Sequence, residues 1–329
     1  MRIRPTRRDC LKSAAAATAT ALAGCVPKEA RSVSPASEVS EVPEGKKPAG
    51  YIDAHVHVWT PETDRYPLAP GYKKESMFPV SFTPEQLFAH ATPSHVDRIN
   101  LIQMSFYGCD NAYMLDVIER HPGTFVGTGI VDPLGSDPGA EMVTLAQRTC
   151  RAFRIHPGLS KQPPERWLQP AGYEKMFAAG AKHRLALSAL IDPRALPELD
   201  RMCAKHPDTP VIIDHLCRIG VSDKTPINEE NMAALVNMAR HKNVYVKVGA
   251  FYALGKKTPP YLDLLPMIRR VVDAFSPARC MWETDCPFQV VKHRYDDSLA
   301  LIRDHADFLS PGDKDAILRT TAEKLLFTT

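Results

Sequence analysis

The sequence has few of the features that mark disulfide-rich, zinc-knuckle or nucleic-acid-binding proteins. Its 8 cysteines among 329 residues form no CxxC pair and no tight cluster, which excludes a disulfide scaffold and a zinc knuckle. The net charge is only +3, and no basic stripe points to nucleic acid. No Gly-rich phosphate turn follows the first strand-like segment, which argues against an open doubly wound sheet.

The first 25 residues have the features of an export signal. The segment "TRRDCLK" (6–12) resembles a twin-arginine signal, with Cys10 where Phe is usual. The Ala-rich residues 13–23 are too short to span a bilayer and suit the apolar core of a signal peptide. The segment "LAGC" (22–25) resembles a lipobox, which would make Cys25 the acylated first residue of the mature protein.

The predicted domain organisation follows from this signal. Residues 1–25 are predicted to be a twin-arginine lipoprotein signal, and residues 26–48, rich in Ser, Pro, Glu and Lys, a flexible linker. Residues 49–329 are predicted to form the catalytic domain. Lipid attachment would anchor the protein to a membrane, facing the periplasm or the cell exterior.

Eight strand-like segments alternate with helical patterns after the linker. The segments are "YIDAHVHVW", "RINLIQMSFYG", "TFVGTGIVDP", "CRAFRIHPG", "LALSALIDP", "PVIIDHLCRIG", "NVYVKVGAFY" and "CMWETDCPF". Helical patterns cover residues 141–148, 172–182, 193–205, 228–241 and 262–275. Eight strand–helix units in about 280 residues predict a (β/α)₈ TIM barrel.

The first segment alternates apolar and polar residues, which is unusual for a strand covered on both faces. In a closed barrel one face of each strand points to the axis and the other packs on helices. We therefore expect Asp53, His55 and His57 to point inward, toward the C-terminal mouth where active sites of this fold lie. The apolar set of Ile52, Ala54, Val56 and Val58 should then face the helices.

The same alternation assigns polar side chains of other strands to the interior. It places His215 on the face of Ile213, with Asp214 opposite. It pairs Glu283 with Asp285, and Arg154 with His156. Lys247 and Glu283 lie on neighbouring strands, so we expect an interior ion pair between them.

These motifs together resemble a known family. A His-x-His on the first strand, one His closing a later strand and an Asp ending the last strand resemble the amidohydrolase superfamily, in its amidohydrolase-2 branch. The segments "DAHVHVW", "RYPLAP", "QMSFYGCDN", "HPGTFVGTGIVDP", "IDHLCRIG" and "ETDCPF" are similar to the lactonase-type members of that branch. The resemblance runs from about residue 51 to residue 326.

The resemblance implies a set of site residues and leaves open whether a metal ion is bound. His55 and His57 match the first-strand pair, His215 the later histidine and Asp285 the final aspartate. The fourth strand lacks the Lys that bridges two metals in binuclear members, and the fifth has Ser188 instead of His. At most one divalent ion, zinc or similar, is therefore expected, held by His55, His57 and Asp285, and metal-free catalysis stays open.

The resemblance implies hydrolysis of a lactone of a carboxylated or sugar-acid compound. Asp285 would act as general base toward water. His215, or the ion, would polarise the carbonyl and stabilise the developing oxyanion. The candidate substrate-binding residues are Arg154, His156, Arg218, Ser105, Tyr107, Lys247, Tyr252 and Glu283. Arg154 and Arg218 suit a carboxylate because a guanidinium binds it through two hydrogen bonds.

Two alternatives remain at this stage. Decarboxylases of the same branch share the His-x-His, His and Asp set, but they usually keep the fifth-strand histidine that this sequence lacks. A non-catalytic lipoprotein that binds sugar acids would not need a general base. The expected partners are thus a small lactone or carboxylate and, through the lipid anchor, a membrane.

Overall fold

The computed structural model describes residues 49–221 and 227–328. Within them eight parallel strands form one sheet in chain order, as a (β/α)₈ barrel requires. The strands are β1 (Tyr51–Val56), β2 (Val96–Ile102), β3 (Phe125–Gly129), β4 (Cys150–Ile155), β5 (Ala186–Ala189), β6 (Val211–Ile213), β7 (Val244–Gly249) and β8 (Cys280–Glu283). Seven lie within the predicted segments and β2 begins two residues before its segment, so the predicted barrel is confirmed.

Helices cover the outside of this sheet. They are α1 (Pro84–Ala91), α2 (Ala112–Arg120), α3 (Pro138–Ala146), α4 (Pro157–Ser160), α5 (Ala171–His183), α6 (Leu196–Lys205), α7 (Glu229–Asn237), α8 (Leu265–Phe275), α9 (Phe288–Lys292), α10 (Tyr295–Arg303) and α11 (Pro311–Asp315). Two π-helical segments, Ala316–Thr320 and Glu323–Phe327, follow α11. In α8, apolar residues at helical spacing form one buried face. No helix of the described residues is long and apolar enough to cross a membrane.

The predicted signal peptide, the linker and Cys25 lie outside the described residues, so these assignments stay predictions. Six of the cysteines lie within the described residues. Five are buried and Cys109 is exposed, and all six are free thiols. The five buried ones act as small packing residues, in agreement with the lack of any cysteine pattern in the sequence.

The barrel contains two apolar clusters. The larger one lies between strands and helices. The smaller one joins side chains from six strands: Ile52, Ala54, Val126, Ala152, Ala186, Ile212 and Met281. Side chains from so many strands can meet only inside the barrel. Ala322 and Leu326 of the C-terminal segment complete this inner cluster, so the segment covers the end of the barrel opposite the mouth.

The predicted orientation of β1 is wrong in its first half. Ile52 and Ala54 belong to the inner cluster, whereas Val56 belongs to the outer one. The pairing of β1 with β2 shifts register between Asp53 and Val56. Such an irregularity moves later side chains to the opposite face. Asp53 therefore lies outside the inner cluster, while His55 reaches the barrel axis.

Candidate active site

A cavity of about 410 Å³ opens at the C-terminal ends of the strands. Its polar lining consists of His57, Ser105, Arg154, His215, Arg218, Tyr252 and Asp285. Its apolar lining consists of Met104, Leu190, Val221, Ala250, Ala253, Leu254 and Phe288. The cavity is thus large enough for a small organic molecule, and it presents both cationic and anionic side chains to it.

His55 of β1 and His57 just after it, here called the β1 histidines, converge on Asp285 at the base of this cavity. Their Nε2 atoms are 3.2 Å apart, and Asp285 Oδ1 lies 3.2 Å from His57 Nε2 and 3.5 Å from His55 Nε2. His57 Nδ1 lies 2.9 Å from the carbonyl oxygen of Ile102. Because a carbonyl only accepts, Nδ1 carries the proton and His57 Nε2 presents a lone pair to the site.

The three converging atoms fit a single divalent ion. An ion about 2.0–2.2 Å from each ligand in tetrahedral geometry requires ligand atoms about 3.3–3.6 Å apart, close to the distances observed. Burial lowers the pKa of both His55 and His57, so both rings are neutral near pH 7, as metal ligands must be. Asp285 Oδ1 has no hydrogen-bond partner within the described residues, which leaves it available to a cation.

Asp285 is held in place through its other oxygen. Tyr252 donates its hydroxyl hydrogen to Oδ2 at 2.6 Å. The backbone of Asp285 adopts a left-handed φ of 61°, which is costly for a residue other than glycine and is found often at functional sites. Burial opposes ionisation, but the charge of His215 outweighs it, and the pKa of Asp285 lies below its usual value. The carboxylate is therefore ionised at neutral pH.

His215 reaches the cavity from a left-handed turn. The turn His215–Arg218 follows β6, and all four residues have φ between 51° and 56°. His215 Nδ1 lies 2.6 Å from Glu283 Oε1, while Nε2 faces the cavity side, 4.0 Å from Asp285 Oδ2. Burial lowers the pKa of His215, but the carboxylates of Glu283 and Asp285 outweigh burial and raise it above the usual value. His215 is thus suited to donate a hydrogen bond from Nε2.

A buried polar network supports the histidines from below. Lys247 Nζ lies 3.0 Å from Asp214 Oδ1 and 3.1 Å from His55 Nδ1. Ser188 donates its hydroxyl hydrogen to the same Asp214 oxygen at 2.8 Å. The expected pair of Lys247 with Glu283 is therefore replaced by one with Asp214, because Asp214 points inward. The Lys247 charge holds the pKa of Asp214 well below its usual value although burial opposes this.

Two arginines line the cavity, and they differ in how much of their hydrogen-bonding capacity is already used. Arg154 is only 4% exposed, and its Nε has no hydrogen-bond partner among the residues described. A buried guanidinium without full hydrogen bonding has capacity left for a ligand. Arg218 lies at the rim, where its Nη1 pairs with Asp192 at 3.2 Å. Part of its bonding capacity is therefore already used.

Four of the predicted substrate-binding residues do not line the cavity. The Tyr107 hydroxyl bonds to the backbone of Thr60. Lys247 and Glu283 are fully buried below the cavity. His156 lies at the start of α4, and burial lowers its pKa to about 4, so its ring is neutral. Ser105, Arg154, Arg218 and Tyr252 do line the cavity.

Two residues of the site, Asp214 and Phe288, are not among the site residues predicted from the sequence. The alternation predicts Asp214 on the outer face because it places His215 on the inner one, yet both reach the site. Asp214 still has extended backbone geometry, and the chain enters the left-handed turn at His215, which breaks the alternation. Phe288, which lines the cavity and contacts the His57 ring edge-on, follows the last strand in a short helix. Only the sequence proximity of Phe288 to Asp285 could have indicated it.

The fold and the site define a barrel enzyme with its reactive groups at the C-terminal mouth. The sequence profile of the amidohydrolase family matches residues 52–328. The chain belongs to the amidohydrolase family.

Individual relatives agree with this assignment. The chain is 28% identical over 236 residues to an L-fucono-1,5-lactonase of Burkholderia ambifaria, covering 72% of this chain and 80% of that one. It is 31% identical over 269 residues to a 2-pyrone-4,6-dicarboxylate hydrolase of Comamonas testosteroni, covering 78% and 83%. A Burkholderia multivorans amidohydrolase solved with bound zinc has a TM-score of 0.70 at 19% identity. That match covers 85% of this chain and 100% of the other, and it shows a common fold.

Proposed function

We propose that this enzyme hydrolyses a lactone that carries a carboxylate. The observation that carries this proposal is the arrangement of three groups around one cavity. An ionised carboxylate, Asp285, has one oxygen without a hydrogen-bond partner among the described residues, and His215 directs Nε2 to the same side. The buried Arg154 lines the cavity, and its Nε likewise has no partner in the described part of the chain. These groups suit a base, an oxyanion donor and an anion-binding residue.

In the proposed reaction, Asp285 takes a proton from water while the water oxygen bonds to the lactone carbonyl carbon. His215 donates a hydrogen bond from Nε2 to the carbonyl oxygen, which becomes negatively charged. The bond between the carbonyl carbon and the ring oxygen then breaks. The ring oxygen leaves with the proton that Asp285 had taken, and the product is an open-chain hydroxy acid or its tautomer.

A divalent ion held by His55, His57 and Asp285 would supply Lewis acidity and lower the pKa of water at the site. The roles of the side chains do not change with it. Arg154 fixes the position of the substrate, His215 bonds to the carbonyl oxygen, and the apolar lining of the cavity, here called the apolar wall, excludes bulk water.

The cavity lining favours a lactone with an apolar body over a polyhydroxylated sugar lactone. Seven apolar residues line the cavity, and Ser105 supplies the aliphatic hydroxyl of its polar lining. The hydroxyl of Tyr252 is already committed to Asp285. Ring hydroxyls of a sugar lactone would lose water without gaining enough partners, which costs about 1–3 kcal/mol for each unsatisfied group. The 2-pyrone-4,6-dicarboxylate hydrolase among the relatives supports the same class of substrate.

A panel of lactones tests this proposal. Purified protein is incubated with unsaturated carboxylated lactones, their methyl esters and aldonolactones, and acid release is followed with a pH indicator while carbon dioxide is measured in parallel. We expect acid release that is fastest for the free carboxylates. Carbon dioxide release would instead identify a decarboxylase, and equal rates for acid and methyl ester would contradict the role given to Arg154.

We further propose that the protein is exported by the twin-arginine route and anchored through Cys25, on the basis of the N-terminal motifs. Replacing Arg7 and Arg8 together by Lys should leave an unprocessed precursor in the cytoplasm, and Cys25→Ser should abolish lipid attachment. If both variants fractionate with membranes like the parent protein, the motifs have been misinterpreted.

A further inference from the structure

Asp53 is a fully buried carboxylate that does not line the cavity. It accepts hydrogen bonds from the backbone N–H groups of His55 at 3.1 Å and Thr284 at 3.0 Å. It also accepts bonds from the hydroxyls of Thr284 and Tyr295, the latter at 2.6 Å. Four donors provide the hydrogen bonds that a buried carboxylate needs. Each oxygen of Asp53 accepts two of them.

These bonds lie at the seam where β8 meets β1. The seam continues with the Asp285 N–H donating to the His55 carbonyl at 3.0 Å and the His57 N–H donating to the Cys286 carbonyl at 2.7 Å. The pairing of β1 with β2 shifts register just after Asp53, between Asp53 and Val56. On the β8 side, the Asp53 carboxylate accepts the Thr284 N–H bond that a strand carbonyl would accept in a regular ladder.

The seam joins the two halves of the reactive centre. Asp53 precedes His55 by two residues, and Thr284 immediately precedes Asp285. The Asp53 carboxylate thus connects the backbone that carries the two histidines to the backbone that carries Asp285. The reactive side-chain atoms of the histidines lie 3.2–3.5 Å from Asp285 Oδ1. A displacement of about 1 Å in such a centre can reduce the rate about 10²-fold.

We propose that Asp53 is a positioning residue that closes the barrel at the β8–β1 seam and thereby sets the spacing between the β1 histidines and Asp285. The kinetic part of this inference rests on the proposed lactone hydrolysis. Asp53 itself does not touch the substrate, since it lies outside the cavity lining.

Two variants weaken the seam to different degrees. Asp53→Asn keeps the shape but replaces one acceptor oxygen by a donor. Both hydroxyls bond to Oδ2, so an amide nitrogen at that position leaves the Thr284 and Tyr295 hydroxyls without their acceptor. Tyr295→Phe removes a single donor and leaves the rest intact, and it covers the case in which Asp53→Asn fails to fold. Thr209→Val is the matched control, because its buried hydroxyl bonds to the Phe177 carbonyl at 2.8 Å away from the seam.

We expect kcat to fall about 10-fold in Tyr295→Phe and about 100-fold in Asp53→Asn, the range found when partners of reactive side chains are removed. KM should stay within about 2-fold, because the anion-binding Arg154 is untouched. Thr209→Val should lose thermal stability as Tyr295→Phe does and keep the parental kcat. Seam variants with parental kcat, or a control that loses kcat equally, would overturn the positioning role.

Hydrogen exchange supplies a readout that needs no substrate. Peptides covering residues 51–59 and 280–288 should exchange faster in both seam variants and at the parental rate in Thr209→Val. Unchanged exchange in the seam variants would overturn the inference by itself. If the parent protein hydrolyses no lactone, the proposed function fails, and exchange still decides whether Asp53 closes the seam.

Discussion

Replacing Asp285 by Asn provides the most direct test of the reactive centre. The substitution keeps the size of the side chain and leaves one oxygen to accept the Tyr252 hydroxyl, which lies 2.6 Å from Oδ2 in the parent. It replaces Oδ1, the oxygen without a hydrogen-bond partner among the described residues, by an amide nitrogen. The nitrogen cannot take a proton from water, and it cannot bind a cation between the β1 histidines.

The expected loss follows from these contacts. Removing a general base lowers kcat by at least about 10²-fold, equivalent to about 2.7 kcal/mol of activation free energy. KM should change little, because Arg154 and the apolar wall still bind the substrate. The side chain lies at the cavity surface, beyond the apolar layers of the barrel, so the melting temperature should shift by only about 2–4 °C.

The assay measures initial rates of acid release with the best lactone of the panel, and folding is verified by thermal melting. Asp200→Asn is the control, since Asp200 pairs with Arg240 on the surface and the same chemical change there should leave kcat unaltered. A folded Asp285→Asn protein with near-parental turnover would remove Asp285 from the mechanism. The proposed role as base would then have to pass to another group.

Three further predictions address the ligand, the metal and the surface. Arg154→Met should raise the KM for a carboxylated lactone about 10- to 100-fold, which corresponds to the loss of a charge-assisted hydrogen bond. The KM for the methyl ester of the same lactone should not change. An equal effect on both compounds would contradict the assignment. Elemental analysis of protein purified without chelators should return at most one divalent ion per chain, because the Lys247 ammonium lies 3.1 Å from His55 Nδ1 and repels a second cation there; two ions would contradict this. Glu174 bonds to Lys205 and His206, and these bonds hold its pKa below the usual value, so its stabilising effect is present above pH 4.5 and is lost as pH falls through the lowered pKa. Glu174→Gln should therefore melt about 2 °C below the parent at pH 7, the scale of an exposed ion pair, and the difference should shrink toward pH 3; a constant difference would exclude the charge as its cause.

Much of this architecture could be predicted because it depends on local pattern. Each strand is an apolar run bounded by turn residues, and the longer helices α3, α5, α6, α7 and α8 repeat apolar residues with helical spacing, so the order of these elements follows from the chain alone. The position of Asp285 just after the last strand also follows, since strand ends of a parallel barrel share one mouth. The His-x-His pair and the missing bridging lysine are likewise properties of the sequence.

The tertiary structure decided which polar groups meet. Alternation along a strand predicts a side chain's face only while the backbone stays regular. The register shift after Asp53 brings His55 to the inner face and leaves Asp53 on the other, and the left-handed turn after β6 brings His215 to the site that Asp214 already faces. Lys247 and His55 are 192 residues apart in sequence yet 3.1 Å apart in space. Such partners are selected by barrel closure and by the need of every buried charge for a counter-charge or hydrogen bond, and neither condition can be evaluated along a single strand.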